Sequence, residues 1–173
     1  MSEYDESKKT NTLSDHPIKP YWLESCYTLL GIFIGMGIIC YVSIRYDMSL
    51  LIPSFASSAV MLFVSYKNPF SQPRNVIGGH LMSTLAGIIT SNLFINDWWS
   101  ITLAIVLATF LMIISKTLHP PGGATALVAH LGGYVHSSVS TLFPVLVNSI
   151  IIVLVAYIIN NKIAARKYPT FWW

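Results

Sequence analysis

A proline and glycine break interrupts one of the long apolar runs of this chain. The break lies within His119–Leu127 (HPPGGATAL), and Lys116 is the only formal charge between Asp97 and Lys162. Two successive prolines remove backbone donors that a continuous helix requires. In a bilayer, non-helical backbone is tolerated only where it is buried in protein or lines a wet cavity. The break therefore marks a candidate functional site.

The composition is that of a membrane protein. Of the 173 residues, 54% are hydrophobic and 10% are charged, whereas about a quarter of the residues in a soluble domain are charged. The net charge is +3, but the basic residues stand singly at the ends of apolar runs. That distribution is typical of membrane topology and not of nucleic-acid binding.

Six apolar segments predict an all-α membrane protein. The segments are Ser25–Ile44, Ser49–Tyr66, Val76–Ile95, Trp98–Ser115, Thr117–Val135 and Ser137–Ile159. A helix needs about 20 residues to cross the hydrocarbon core, and the second and fifth segments fall short if their helices begin only at Pro53 and Pro121. We expect a disordered cytoplasmic tail at 1–24, a transmembrane domain at 25–161 and a short cytoplasmic tail at 162–173.

The basic residues support six crossings with both termini in the cytoplasm. In that topology nine of the ten lysines and arginines lie on the cytoplasmic side, and only Arg45 lies outside, as the positive-inside rule requires. A four-crossing alternative, with the second and fifth segments as re-entrant loops, places Lys67 and Arg74 on the opposite face from the termini. We therefore expect a multi-pass protein of the cell (inner) membrane.

The second and fifth segments resemble each other. Pro53–Val60 (PSFASSAV) aligns with Pro121–Val128 (PGGATALV), and each is the middle member of a three-segment half. Because three crossings is an odd number, the second half enters the membrane with the opposite orientation. Interrupted segments at matching places predict two inverted three-segment repeats, each with a broken or half-helical middle segment and a site between them.

Both breaks have the form of a helix start inside the membrane. Proline suits the first helical position, and the first turn then offers free N–H groups and a positive dipole end to an anion. We predict a substrate site from both starts, comprising Pro53, Ser54, Ala56, Ser57, Ser58, Pro120, Pro121, Gly122, Gly123, Ala124 and Thr125. The alternative is that both breaks only allow tight helix packing.

Histidines in the apolar segments are further site candidates. His80 and His119 lie beside glycines, and an intramembrane ionisable residue usually faces the bundle interior or an aqueous path. Either could couple anion passage to protonation, or could merely bond a carbonyl of a broken helix. His130 and His136 lie toward the outer end of the fifth segment, where we expect them at the membrane surface.

Metal chemistry and enzymatic chemistry are not indicated. The histidines show no i, i+4 pair on a span, and Asp47 and Asp97 lie in loops, so the clustered ligands of a metal site are missing. We expect no metal, no cofactor and no enzymatic activity. The Gly31–Gly35 step and the Gly79–Gly87 stripe of small residues indicate close helix packing, either within one subunit or between subunits.

Two blocks of sequence resemble the HPP family of integral membrane proteins. One is His119–Ala124 (HPPGGA). The other comprises Pro53–Val64, Pro69, Gln72-Pro73-Arg74-Asn75 and Gly78-Gly79-His80. The resemblance covers roughly Ser25 to Ile159. Members in chloroplasts and cyanobacteria are associated with nitrite transport, so the resemblance implies this activity, and it implies importance for Arg74, Asn75, His80, His119 and the proline and glycine residues that follow His119.

Together these features predict a transporter or channel for a small monovalent anion, with nitrite as the best candidate. Arg74, Asn75 and Lys116 would form its cytoplasmic mouth. A bundle this small has little room for a vestibule, so we expect a homo-oligomer in the lipid bilayer. The alternative is a membrane scaffold or signalling subunit without transport activity.

Overall fold

The computed structural model describes residues 20–46, 52–132 and 141–172, and within these ranges the secondary structure is entirely helical. The helices are α1 (Tyr21–Arg45), α2 (Ser54–Val64), α3 (Pro73–Leu93), α4 (Trp98–Ile114), α5 (Gly122–Gly132) and α6 (Leu142–Ile158). A π-helical turn at Ile159–Ile163 extends α6. Each of the six predicted segments thus contains a helix, and the all-α fold is confirmed. Residues 1–19 of the tail predicted at 1–24 lie outside the described residues, and α1 begins at Tyr21.

Helix lengths separate full crossings from the broken segments. Three helices are long and apolar enough to cross a membrane, namely α1, α3 and α6 with its π-helical extension. Helix α4 has 17 residues, at the lower limit for a crossing. Helix α2 has 11 residues, which span only about 16 Å, and α5 begins only after the second break, at Gly122. The prediction that helix starts at the two breaks is confirmed.

Hydrogen bonds between distant residues fix which helix ends lie together. Arg166, beyond α6, bonds to Glu24 in the first turn of α1, and Thr28 donates to the carbonyl of Phe63 near the end of α2. Arg74, at the start of α3, donates to the carbonyl of Ser115 after α4. We call this side of the bundle the near end. The chain therefore alternates in direction through six segments, and α1 begins at the end of the bundle where the chain leaves α6.

Small residues bring the helices into close contact within one chain. A Cβ atom added at Gly31 would lie 2.3 Å from the ring of Phe63, and one added at Gly35 would lie 2.7 Å from Ile152. On α3, a Cβ at Gly87 would lie 2.5 Å from the carbonyl oxygen of Ala126 in α5. Both stripes of small residues therefore pack against other helices of the same chain.

The outward surface of the bundle is apolar. Large hydrophobic side chains that are more than half exposed occur on several helices, and they include Phe33, Ile44, Val106, Phe110, Ile113, Phe143 and Leu154. So much exposed apolar surface is typical of a protein that is solvated by lipid.

The residues after α6 fold back across the near end. The Tyr168 hydroxyl donates to the carbonyl of Ser71 over 3.0 Å, and the Thr170 amide donates to Gln72 Oε1 over 2.8 Å. Both Ser71 and Gln72 precede α3 and are fully buried. The segment predicted as a short tail thus packs on the bundle up to residue 172.

Stability should fall at high pH because of Tyr168. Burial raises the pKa of its phenol above the ordinary value of 10.0. Above pH 10 the unfolded chain loses this proton and the folded chain keeps it, so unfolding becomes more favourable as the pH rises. The slope contributed by this group is at most about 1.4 kcal/mol per pH unit. Thermal unfolding in detergent from pH 8 to pH 11 should show a steeper loss for the wild type than for Tyr168→Phe, and equal slopes would contradict the assignment.

Candidate functional site

The two breaks meet inside the bundle. Ser54 is the first residue of α2, and its hydroxyl lies 2.7 Å from the hydroxyl of Thr125 in the first turn of α5. Both side chains are buried. From this meeting point α2 runs toward the near end and α5 runs toward the opposite end. The sequence prediction that the two helix starts come together is confirmed.

Two histidines complete a buried polar cluster. The hydroxyl of Ser58 lies 2.8 Å from Nε2 of His80 and 2.9 Å from Nε2 of His119. Nδ1 of His80 lies 2.7 Å from the Thr125 hydroxyl. We call Ser54, Ser58, His80, His119 and Thr125 the polar cluster, and each side chain is at most 2% exposed. Since His80 is the eighth residue of α3, it lies about 10 Å along that helix from the near end.

Aromatic and glycine contacts hold the two imidazoles in place. The ring of Phe55 stacks on His80 at a centroid distance of 4.2 Å, and the two imidazole centroids are 4.9 Å apart. A Cβ atom at Gly79 would lie 2.6 Å from Cβ of His119, so only glycine lets the second break approach α3 this closely. Nδ1 of His119 lies 2.7 Å from the backbone carbonyl of Phe70.

The predicted free N–H groups at the helix starts are already bonded. The amides of Phe55 and Ala56 donate to the carbonyls of Ile52 and Pro53, and the amides of Gly122, Gly123 and Ala124 donate to the carbonyls of His119, Pro120 and Pro121. The prediction that these amides are free is therefore wrong. The residues around each proline form a tight turn before the helix. In this turn the carbonyl three residues before each of these amides accepts its hydrogen bond. The polar groups in the interior are hydroxyls and imidazoles.

The predicted site residues divide between the interior and the surface. Pro121 and Gly122 are buried with the polar cluster, and Gly123 is half-buried. Five other residues are exposed: Pro53, Ala56, Ser57, Pro120 and Ala124. Ser57, Ala124 and both prolines of the second break line an open groove between α2 and α5, with a volume of about 480 Å³. The groove lies on the outer side of the polar cluster.

The predicted mouth residues lie at the near end. Arg74 donates to the carbonyl of Ser115 over 3.1 Å, and Asn75 donates to the carbonyl of Leu118 over 2.9 Å. Both therefore hold the loop that leads into the second break. Lys116 is exposed, and its φ of 57° closes α4 in the left-handed conformation usual after a helix C-terminus. Their predicted role as a mouth for anions stays a prediction.

His130 lies between helices in the last turn of α5, and the prediction that it lies at the membrane surface stays a prediction. It is fully buried, with Nδ1 2.9 Å from the hydroxyl of Thr90 in α3. It fills the contact between the ends of α3 and α5 because Gly87 allows their backbones to approach. His136 lies outside the described residues.

Sequence reasoning missed two members of the site. Phe70 contributes a backbone carbonyl, which no side-chain pattern reveals. Phe55 contributes the ring stacked on His80, and in a chain rich in apolar residues one phenylalanine gives no signal. The sequence predicts only a cytoplasmic charge at Arg166, whereas in the structure its guanidinium bonds to Glu24 and joins α1 to the segment after α6.

Comparisons with known proteins identify a family of membrane proteins. Residues 17–169 match the model of the HPP transmembrane region. Two curated transmembrane proteins of Dictyostelium discoideum are similar to the chain. One is 35% identical over 164 residues, covering 87% of this chain and 56% of its own length. The other is 34% identical over 171 residues, covering 91% of this chain and 54% of its own length. The chain thus spans about half the length of these curated relatives. No solved structure matches.

Proposed function

The chain belongs to the HPP family of integral membrane proteins, and we propose that it transports a small monovalent anion, with nitrite as the best candidate. We further propose that it resides in the cell (inner) membrane, with the near end and both termini in the cytoplasm. It acts as a transporter or channel and not as an enzyme, and it needs no cofactor.

The observation that carries this proposal is the meeting of two helix starts at a buried polar cluster. The bond between Ser54 and Thr125 is 2.7 Å long, and two imidazoles lie beside it. Polar and ionisable groups at membrane depth are costly and usually mark substrate or ion paths. Interrupted helices of opposite direction that meet inside the membrane are typical of inverted-repeat transporters. The opposite directions of α2 and α5 support such a repeat here.

The groove between α2 and α5 gives the anion an approach to the cluster. It extends along α2 from Ser57 to Ser65 and is bounded by Pro120 and Pro121. Its serine hydroxyls can solvate a small anion without a fixed positive charge. Arg74, Asn75 and Lys116 form the cytoplasmic mouth in this proposal, and the charges of Arg74 and Lys116 raise the local anion concentration there.

A second copy of the chain completes the site in this proposal. Pro53 and Pro120 are exposed at the breaks, yet irregular backbone within the hydrocarbon region is not tolerated against lipid. A homo-oligomer that covers the groove resolves this conflict, and it leaves a shared polar path between subunits.

Anion uptake into vesicles that contain the purified protein tests the proposal. Wild-type protein should take up nitrite saturably, and in preference to nitrate, formate and chloride. Ala124→Trp fills the groove and should reduce uptake at least about tenfold. Val106→Trp is the matched control, because Val106 is 58% exposed on α4 and lies away from the groove. Its uptake should stay within about twofold of wild type.

The second candidate function is a membrane scaffold or signalling subunit. The dense packing of the breaks favours it, since Gly79 and Gly87 both contact α5 or its preceding loop closely. It predicts a folded protein with no flux of any of the four anions at several pH values. That outcome would overturn the transport proposal.

A further inference from the structure

We propose that the polar cluster is a proton relay, which runs from Ser54 at the start of α2 to His119 and in which Ser58 passes the proton between His80 and His119. This inference deepens the proposed function and rests on it only where the anion is concerned. It depends on five consecutive hydrogen bonds of 2.7 to 2.9 Å.

One backbone carbonyl fixes the direction of the whole relay. The Phe70 oxygen can only accept, so Nδ1 of His119 carries a proton and donates it over 2.7 Å. In the neutral ring Nε2 is then an acceptor, and the hydroxyl of Ser58 must donate to it. Ser58 has no second proton, so Nε2 of His80 donates to the Ser58 oxygen.

The same reasoning orients the remaining bonds. Because His80 carries its proton on Nε2, its Nδ1 accepts from the hydroxyl of Thr125. Thr125 has then used its proton, so the hydroxyl of Ser54 donates to Thr125. Thr125, His80, Ser58 and His119 each use one donor and one acceptor, and every proton points along the chain from Ser54 to Phe70. The two imidazoles consequently hold opposite tautomers.

Proton transfer along this relay is balanced at every step. Ser54 takes a proton from water, or from the neutral acid of a carried anion, and gives its own proton to Thr125. Thr125 gives its proton to Nδ1 of His80, and His80 releases the Nε2 proton to Ser58. Ser58 gives its proton to Nε2 of His119, and His119 releases the Nδ1 proton to a water molecule that replaces the Phe70 carbonyl at that nitrogen. Each N–H or O–H bond that breaks is matched by one that forms.

The resting direction returns after each transfer. With its proton on Nε2, His119 would turn a bare Nδ1 toward the Phe70 carbonyl, so two acceptors would face each other. Rotation of the hydroxyls and a half-turn of each imidazole about its Cβ–Cγ bond remove that repulsion and restore the resting direction of the hydrogen bonds. Ser58 can rotate because the carbonyl of Ser54 is a further acceptor at 3.2 Å.

The relay begins deep in the bundle. Ser54 lies ten residues before the end of α2 at Val64, which is about 15 Å along the helix of a hydrocarbon core of about 30 Å. Ser54 directly follows exposed Pro53, and Phe70 directly follows exposed Pro69. In the proposed oligomer the shared polar path between subunits brings water to Pro53, and Pro69 lies at the near end.

The groups that face the imidazoles are neutral hydroxyls and one carbonyl. They come from α2 (Ser58), from α5 (Thr125) and from the loop before α3 (Phe70). The titratable neighbour of each ring is the other imidazole. A proton therefore moves here between neutral groups, with no fixed counter-charge to trap it.

Nitrogen NMR of ¹⁵N-histidine protein in bilayers tests the tautomers at neutral pH. The signals of each ring are assigned by comparison with the variant that lacks it, His80→Gln or His119→Gln. We expect His119 with its proton on Nδ1 and His80 with its proton on Nε2. The same tautomer in both rings, or a positively charged ring at neutral pH, would overturn the relay.

Proton flux tests the transfer itself. Vesicles carry a trapped pH-sensitive dye, and a potassium diffusion potential drives protons inward, first without a permeant anion and then with nitrite. Wild type should acidify the vesicles in at least one condition, and Ser58→Ala should lower the rate at least about tenfold. The matched control is Ser149→Ala, which removes a buried hydroxyl that donates to the carbonyl of Val145 on α6, and which should stay within about twofold of wild type.

The outcomes separate the relay from the anion proposal. Nitrite uptake without proton flux in wild type would overturn the relay and leave anion transport standing. Proton flux that Ser58→Ala abolishes, without uptake of any anion, would support the relay and overturn anion transport. Equal proton flux in wild type and Ser58→Ala would overturn the relay.

Discussion

Alanine at position 79 is expected to lower the free energy of unfolding by about 3 kcal/mol or more, which is at the upper end for overpacking a tight contact. The added Cβ would lie 2.6 Å from Cβ of His119 and 2.8 Å from the carbonyl oxygen of Thr117. Neither neighbour can retreat easily. The imidazole of His119 is bonded at both nitrogens, and the loop after Thr117 is held by Asn75.

Two other glycines provide matched controls for this prediction. A Cβ at Gly123 would lie 3.9 Å from its nearest neighbour, Ile105, and one at Gly37 would meet nothing within 4 Å. Both residues are helical, so alanine there should leave stability unchanged or raise it by up to about 1 kcal/mol. Thermal unfolding of the three variants in detergent checks the prediction. A Gly79→Ala protein as stable as Gly123→Ala would show that the second break does not press against α3.

The meeting of the two breaks could be predicted from the sequence because proline restricts the backbone in any context. Pro53 and Pro121 indicate where α2 and α5 begin, and the second and fifth segments are three crossings apart, which predicts opposite directions for α2 and α5. His80 and His119 could be predicted as members of the interior because ionisable side chains avoid lipid.

The orientation of the neighbouring serines could not be predicted. Ser57 faces the groove and Ser58 faces the histidines, but which serine points inward depends on the rotation of α2 about its axis. In a soluble helix the apolar side identifies the buried face. In a membrane helix the lipid side is as apolar as the core, so that pattern loses its meaning.

The wrong prediction of free N–H groups at the starts of α2 and α5 has a related cause. A helix start can leave its amides free or can satisfy them with a preceding tight turn. The choice depends on the turn geometry of residues such as His119 and Pro120, whose carbonyls accept from Gly122 and Gly123. Residue types permit both outcomes, and only the folded backbone decides between them.

Replacement of Arg166 by alanine is expected to destabilise the protein by about 3 kcal/mol, because removal of one partner leaves buried polar groups without theirs. The Arg166 side chain is only 5% exposed and forms an ion pair with Glu24 at 2.5 Å. It also donates to the carbonyls of Glu24 and Phe63, and its guanidinium lies 5.0 Å from the ring of Tyr66. One side chain thus joins α1, α2 and the segment after α6.

Two substitutions distinguish the geometry of the guanidinium from its charge. Arg166→Lys keeps the charge but loses the planar set of donors, so it should retain only part of the stability that Arg166→Ala loses. Lys167→Ala, at the exposed neighbouring position, should change stability by less than about 0.5 kcal/mol. Unfolding in detergent gives the three values. If Arg166→Lys matched the wild type, charge alone would hold the near end together, and the fork of bonds to Glu24 and Phe63 would have no role. If Arg166→Ala matched Lys167→Ala, the segment after α6 would be held on the bundle by the contacts of Tyr168 and Thr170 instead.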